Sequence, residues 1–385
     1  MQISSTIKYV GVFDHEIDLF EGQYKVPEGI SYNSYVIIDE KIAVMDSVDI
    51  GFTDEWLVNI KNTIGEREPD YLVVQHMEPD HSASIIHFTR AYPNTKIVSS
   101  QKAFAMMKSF FGTDFPEKQI IIKDGDKLNL GNRELVFIGA PMVHWPEVVM
   151  TYDTREKALF SADAFGKFGP RELDAIWIEE ARRYYIGIVG KYGAQVQALL
   201  KKAKDLDINT IYSLHGPVLN ENIPYYIGLY NTWSSYTPEE DGILIAYTSI
   251  YKNTEAAAKK LYGILKEKGS IKVEIRDLAR CDMHEAVALA FKYSKLTLAS
   301  PTYNADVFPF MKEFINHLTE RNYSNRKVAL IENGSWAPMA AKVMRGMLEG
   351  SKNITYTETA VTVRSALNEE SEAKLNDMAN ELIAQ

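Results

Sequence analysis

The sequence predicts two domains of different fold class: a mixed α and β domain of sheets covered by helices, then an α/β domain with a doubly wound parallel sheet. Three observations support this. The chain has 385 residues, more than the roughly 100–200 of one ordinary domain. Up to about residue 230, short apolar runs alternate with turn signals, with helical patterns between them. From Gly242 the rhythm becomes strand then helix, repeatedly, as parallel strands joined by helical crossovers require. The polar segment 231–241, with Pro238, reads as a linker. The predicted domains are therefore 1–241, linker included, and 242–385.

In the first domain, runs rich in β-branched and aromatic residues predict strands at 35–38, 42–45, 71–74, 96–98, 135–138, 148–150 and 158–160. Apolar residues at helical spacing predict helices at 55–64, 82–92, 102–111 and 185–204. In the second domain, strands are predicted at 243–247, 271–275, 296–299 and 328–331, with helices at 255–268 and from Met283, Pro309 and Met339.

A hydrophobic fraction of 46% with 24% charged residues is ordinary for a soluble globular protein. The net charge is −10 and the basic residues are scattered, so neither nucleic acid nor an anionic membrane surface is favoured as a partner. The N-terminal residues lack a basic segment followed by an apolar one, and no run of about 18 apolar residues occurs, so a cytoplasmic protein is expected. The single cysteine, Cys281, excludes an intrachain disulfide, a Cys-ligated iron–sulfur cluster and a Cys-x-x-Cys pair within this chain. Redox chemistry must run through another cofactor.

The densest chemical signal is His76-Met77-Glu78-Pro79-Asp80-His81, four metal-ligand types in six positions, where a predicted strand gives way to a loop. Pro79 disfavours a helical Glu78 and keeps His76 and Glu78 on one side of an extended segment. Ser82 or Asp80 is expected to cap the helix that follows. Three more candidates lie just beyond apolar runs: His144, Asp163 and His215. Four histidines and three carboxylates suffice for two metal ions if one carboxylate bridges. Three carboxylates plus a bridging hydroxide balance two divalent cations, and the oxygen-rich set favours iron or manganese, with zinc left open by the imidazoles. His15, His87, His284 and His317 have no such setting.

His-x-Glu-x-Asp-His with distant His, Asp and His resembles the flavodiiron proteins, whose first domain has the metallo-β-lactamase fold, an αββα sandwich. Hydrolases of that fold usually carry His-x-His-x-Asp-His, and Glu78 stands at the second His position. The resemblance implies that His76, Glu78 and His144 hold one iron, that Asp80, His81 and His215 hold the other, and that Asp163 bridges them. Tyr184 and Tyr185 resemble a family segment near the diiron pocket, where a hydroxyl can donate a hydrogen bond. Trp145 is expected to pack beside the ligands.

In the second domain, Thr248-Ser249-Ile250-Tyr251-Lys252-Asn253-Thr254 joins a strand to a helix N-terminus, where hydroxyls and free backbone N–H groups suit a phosphate. It resembles the flavodoxin phosphate loop, with Lys252 where that pattern usually has Gly. Ser300-Pro301-Thr302-Tyr303-Asn304 and Asn333-Gly334-Ser335-Trp336 follow later strands, where Tyr303 or Trp336 can flank an isoalloxazine ring. Glu332 departs from the family's Gly-rich third loop. FMN fits better than NAD, because no strand is followed by Gly-x-Gly-x-x-Gly.

The resemblance covers essentially the whole chain. It implies reduction of O2 to water, of NO to N2O, or both, at a diiron site with FMN as relay. It also implies a head-to-tail homodimer or a dimer of dimers. With no rubredoxin segment in this chain, electrons are expected from a separate donor: rubredoxin, a reduced deazaflavin coenzyme or a flavin reductase. Two other readings are a metallo-hydrolase with an appended flavodoxin domain, against which Glu78 counts, and an electron carrier with a structural metal. Seven ligands without a closed N/S tetrahedron argue against the latter.

Overall fold

The computed structural model describes residues 4–172, 176–269 and 271–384. They divide into two compact units, Met1–Asn231 and Thr232–Gln385.

The first unit holds two sheets. One has six strands, in the order Ile7–Tyr9, Tyr35–Ile38, Ile42–Met45, Tyr71–Val73, Lys96–Ser100 and Gln119–Ile122. The other has five: Lys127–Asn129, Glu134–Gly139, Val149–Asp153, Ala158–Phe160 and Thr210–Tyr212. Because strand side chains alternate between faces, Ile37, Val73 and Val98 of the first sheet share one core with Phe137, Val149 and Phe160 of the second. Helices Thr53–Ile64 and Gln101–Phe111 pack on the six-stranded sheet. Trp56 is fully buried there, stacks near Phe88 and donates its indole N–H to Ser34 Oγ at 2.9 Å.

Pairing directions decide where loops emerge. Val149–Asp153 is antiparallel to both Glu134–Gly139 and Ala158–Phe160, and Thr210–Tyr212 is parallel to Ala158–Phe160. Glu134–Gly139, Ala158–Phe160 and Thr210–Tyr212 therefore run the same way, and the loops carrying His144, Asp163 and His215 leave one edge of the sheet.

The predicted helix 185–204 is broken. Helix Trp177–Tyr184 passes into a π-turn, Tyr185–Val189, then a short 3-10 turn, Gly190–Tyr192, before helix Gly193–Ala203. Gly187 is required inside it, since a Cβ there would stand 2.7 Å from the Tyr24 ring. Such π-turns gather at functional sites.

In the second unit the sheet order is Lys272–Asp277, Glu240–Tyr247, Tyr293–Tyr303 and Arg326–Asn333, with Ile354–Tyr356 and Val361–Val363 both pairing along the last strand. These pairings are all parallel. Ile243, Ile245 and Ile331 face helices Asn253–Lys268 and Glu369–Ile383, while helices Met283–Lys292, Pro309–Glu320 and Ala340–Met347 pack with one another and on the sheet. The sheet is doubly wound. The chain order reverses beside Glu240–Tyr247, and the loops after it and after Tyr293–Tyr303 flank that crevice, where ligands bind in such sheets. The predicted linker 231–241 is narrower than expected, because helix Ile223–Ser234 takes its first four residues and strand Glu240–Tyr247 its last two.

Candidate functional site

The strand ends at Val73, and Glu78, five residues on, has a φ of −58° and a ψ of 138°, the extended conformation of a residue before proline. One helical turn, Pro79–Ser82, follows. Neither Asp80 nor Ser82 caps a helix, contrary to the sequence expectation, because Pro79 starts the turn and both fall inside it. Ser82 Oγ donates instead to the Met77 carbonyl at 2.8 Å, which fixes the turn presenting Asp80 and His81.

Two groups of donors result. Donor atoms of His76, Glu78, His144 and Asp163 lie within 4.8 Å of one another, as do those of Asp80, His81 and His215. Glu78 Oε2 is 3.2 Å from His76 Nε2 and 3.0 Å from His144 Nε2. Asp80 Oδ2 is 3.2 Å from His81 Nε2 and 3.4 Å from His215 Nε2, and those two nitrogens face each other at 3.0 Å. Asp163 reaches both groups: its Oδ2 is 3.0 Å from His144 Nε2, and its Oδ1 is 3.3 Å from His81 Nε2.

This spacing suits a shared ion. Ligand atoms about 2.1 Å from a common ion stand about 3.0–3.4 Å apart in tetrahedral to octahedral geometry. Among the described residues, Asp80 Oδ1 is buried without a hydrogen-bond partner, and Asp80 Oδ2 and Asp163 Oδ1 are buried against imidazole nitrogens alone. Buried carboxylate oxygens in that condition are costly, and a cation removes the cost. The donors fit a pair of metal ions.

The electrostatics point the same way. Burial opposes charge on His81 and His144, but the neighbouring carboxylates outweigh it and push them up to about 10 and about 9. Asp163 is buried, yet His76, His144 and His81 hold its carboxyl well below the usual range. The pocket stabilises positive charge, whether carried by protons or by metal.

A surrounding layer of contacts was not anticipated from the sequence. Glu147, 2% exposed, accepts from Met77 N at 2.8 Å and lies 2.9 Å from His76 Nδ1. His215 Nδ1 lies 2.7 Å from the Ser31 carbonyl. Each contact leaves the ring's Nε2 facing inward, the usual outer support of a metal-binding histidine. Asp46 accepts from Gln75 N at 2.7 Å and Gln75 Nε2 at 2.8 Å, bracing the strand end just before His76. The only sequence signal for Glu147 was its position three residues beyond His144.

Tyr184 packs its ring 5.5 Å from that of His215, and its buried hydroxyl has no hydrogen-bond partner among the described residues. Burial and the carboxylates of Asp163, Glu78 and Asp80 keep that hydroxyl protonated far above the ordinary tyrosine range. Tyr185 instead packs on Tyr230. Trp145 sets its ring edge-on to His76 at 5.3 Å. Among the described residues, His15, His87, His284 and His317 belong to neither group.

In the second unit, a cavity of about 610 Å3 opens at the carboxyl ends of the strands. Ser249, Ile250, Tyr251, Asn253 and Thr254 line it on one side, Pro301, Thr302, Tyr303 and Asn304 on another, and Asn333, Gly334, Ser335 and Trp336 on a third. Three other candidates are not part of this wall: Thr248 and Ser300 are buried behind it and Lys252 is exposed. Thr248 and Ser300 join through their hydroxyls at 3.2 Å, and Lys252 sets the backbone. With φ 68° and ψ −1°, Lys252 adopts the left-handed conformation that a glycine would supply. It is the N-cap of helix Asn253–Lys268 and gives no side-chain cap, so the helix's first N–H groups point into the loop. Buried Ser249 Oγ also has no partner among the described residues. Glu332 turns away from the cavity: it accepts from Ala341 N at 3.0 Å and Thr362 Oγ1 at 2.8 Å, anchoring helix Ala340–Met347. Ser365, which holds both ends of the Asn333 amide, is a further lining residue that sequence reasoning missed. A polar cradle at a helix N-terminus beside aromatic walls fits a flavin mononucleotide.

A family model described as the ODP family beta lactamase matches residues 30–216. The anaerobic nitric oxide reductase flavorubredoxin of Vibrio vulnificus is 31% identical over 350 residues, covering 87% of this chain and 70% of that protein. The chain belongs to the flavodiiron protein family. The flavodiiron protein from Giardia intestinalis superposes with a TM-score of 0.91 at 26% identity, covering 100% of this chain and 96% of that one. Rubredoxin oxygen:oxidoreductase from Desulfovibrio gigas gives 0.92 at 24% identity, over 99% and 97% of the two chains, and speaks to the fold. The first unit is thus metallo-β-lactamase-like and the second flavodoxin-like, as the sequence predicts. This flavodiiron chain is an oxidoreductase by class. No helix among its described residues is long and apolar enough to cross a membrane.

Proposed function

We propose that the chain reduces O2 to water, NO to N2O, or both, at two irons, with FMN passing electrons from a separate donor such as rubredoxin, a reduced deazaflavin coenzyme or a flavin reductase. The observation that carries this reading is Asp163, which offers one oxygen to each donor group. His76, Glu78 and His144 would hold one iron, and Asp80, His81 and His215 the other. When bound, the metal pair supplies two adjacent one-electron centres, and FMN converts between two-electron and one-electron transfer.

The chain's own residues do the rest. Glu147 and the Ser31 carbonyl orient His76 and His215. Tyr184 keeps its proton and offers its hydroxyl as a donor to an oxygen atom of the substrate. Ser249, Asn253, Thr254 and the first N–H groups of the helix would hold the FMN phosphate, with Lys252 fixing the loop and Thr248 and Ser300 bracing it. Tyr303 and Trp336 would flank the ring, and the loop backbones near Asn304 and Gly334 would meet its edge. The domains are assigned as 1–241 and 242–385, the protein as cytoplasmic, and the working assembly as a head-to-tail homodimer or dimer of dimers, testable by sedimentation.

The test is the iron, zinc and FMN content of protein purified without oxygen, followed by O2 and NO consumption with a reduced donor. About two irons and one FMN per chain, with consumption of either gas, is the expected result. Two zincs with hydrolytic turnover, or no flavin, would overturn the reading in favour of a hydrolase.

A further inference from the structure

The first unit contains a second cavity, lying between strands Val149–Asp153 and Ala158–Phe160 and helix Gly193–Ala203. Its volume is about 220 Å3, below the ~300–1,000 Å3 of sites for drug-sized ligands. Aliphatic and aromatic side chains make up nearly all of its wall. Tyr230 brings a hydroxyl, which already accepts from Phe165 N–H while the two rings stack at 4.1 Å. A buried water needs two to four polar partners, and among the lining side chains only the Tyr230 hydroxyl and, at the mouth, Lys204 are polar. Apolar cavities near 150 Å3 stay dry and take up xenon.

The cavity's position gives this property a use. Val143, which precedes His144, and Ala164, which follows Asp163, both line it and are 2% and 1% exposed. The other end reaches the surface, where Leu200 and Ala203 are half-buried and Lys204 is exposed. An apolar passage therefore begins at solvent and ends at the chain neighbours of two candidate metal ligands.

We propose that this cavity is a docking site for an apolar diatomic gas, which enters beside Leu200 and Ala203 and collects behind His144 and Asp163. The proposal rests on the reading of the metal site as a reducer of O2 or NO. Such gases dissolve better in apolar surroundings than in water, whereas ions and protons do not, so the route raises the local substrate concentration and filters what reaches the site. Rotamer motion of Val143 on the nanosecond scale completes the path past the small Ala164 methyl group.

Xenon is the probe. Crystals of the whole protein under xenon pressure should show xenon between Ala164, Leu159 and Val196. Leu200→Trp, and independently Ala203→Phe, should reduce that occupancy and raise KM for O2 or NO severalfold, with kcat at saturating gas held. Circular dichroism and FMN content identify a variant that has misfolded, and the other then carries the test. No xenon in the wild-type cavity, or xenon lost in a folded variant with KM unchanged, would overturn the proposal. A chain that consumes neither gas yet binds xenon would keep the gas site and overturn the functional reading instead.

Discussion

Glu147 Oε1 lies 2.9 Å from His76 Nδ1, with both side chains fully buried. The contact selects the tautomer in which Nδ1 carries the proton and the Nε2 lone pair faces Glu78 and Asp163. Glu147→Ala should cost about 10–100-fold in metal affinity. It also strands the Met77 N–H, worth a further ~1–3 kcal/mol of stability. Iron titration of the metal-free variant measures the first effect and urea unfolding the second. Wild-type iron affinity would dismiss the orienting role.

Asp163→Ala should abolish the paired site while leaving the flavin cavity intact. The expected protein holds FMN at its normal ratio, binds fewer than two irons and has lost most gas reduction. Unchanged turnover would end the bridging assignment.

The phosphate loop yields a paired prediction. A non-glycine residue in the left-handed region costs ~1–2 kcal/mol, so Lys252→Gly should keep FMN and be at least as stable as the parent. Lys252→Val, a β-branched residue at positive φ, should destabilise the second unit and release flavin. Equal urea midpoints for the two variants would contradict this account of the backbone.

Thr254, 2% exposed at the helix N-terminus, lines the same loop. Thr254→Val removes its hydroxyl at nearly constant volume and should weaken FMN binding while sparing iron. Fluorescence titration of the apoflavin protein decides the matter, with wild-type affinity placing the phosphate on other donors.

Cys281 should be chemically quiet. Burial, with Glu285 adding to it, pushes its thiol up to about 11. A raised thiol pKa means less thiolate at any given pH, so at pH 8 only ~0.1% is ionised and reactive. Alkylation by iodoacetamide should be slow at pH 8 and should accelerate tenfold per pH unit up to about 11. Fast labelling at pH 7 would reveal a different environment.

The donors and loops could be read from the chain because they are rare residue types standing just past apolar runs. What supports them could not. Glu147 follows Trp145-Pro146 and looks like an ordinary surface carboxylate until its burial is known. Strands of three residues such as Ile7–Tyr9 and Thr210–Tyr212 are too short to display a period of two. The π-turn at Tyr185–Val189 keeps an apolar pattern close enough to helical to pass for one. Lys252 and Glu332 depart from the family's residue types, but each has a local explanation: one accepts the strained backbone, and the other ties down a neighbouring helix.

The seven donors are scattered from His76 to His215, on loops that leave different strands of a chain with one cysteine. Ions held by all of them join four distant segments at one point, which shortens the loops available to the unfolded chain as a set of disulfides would. Binding free energy becomes folding free energy. Chelation should then lower the unfolding midpoint of the first unit, so inorganic chemistry and mechanical integrity share one fastening.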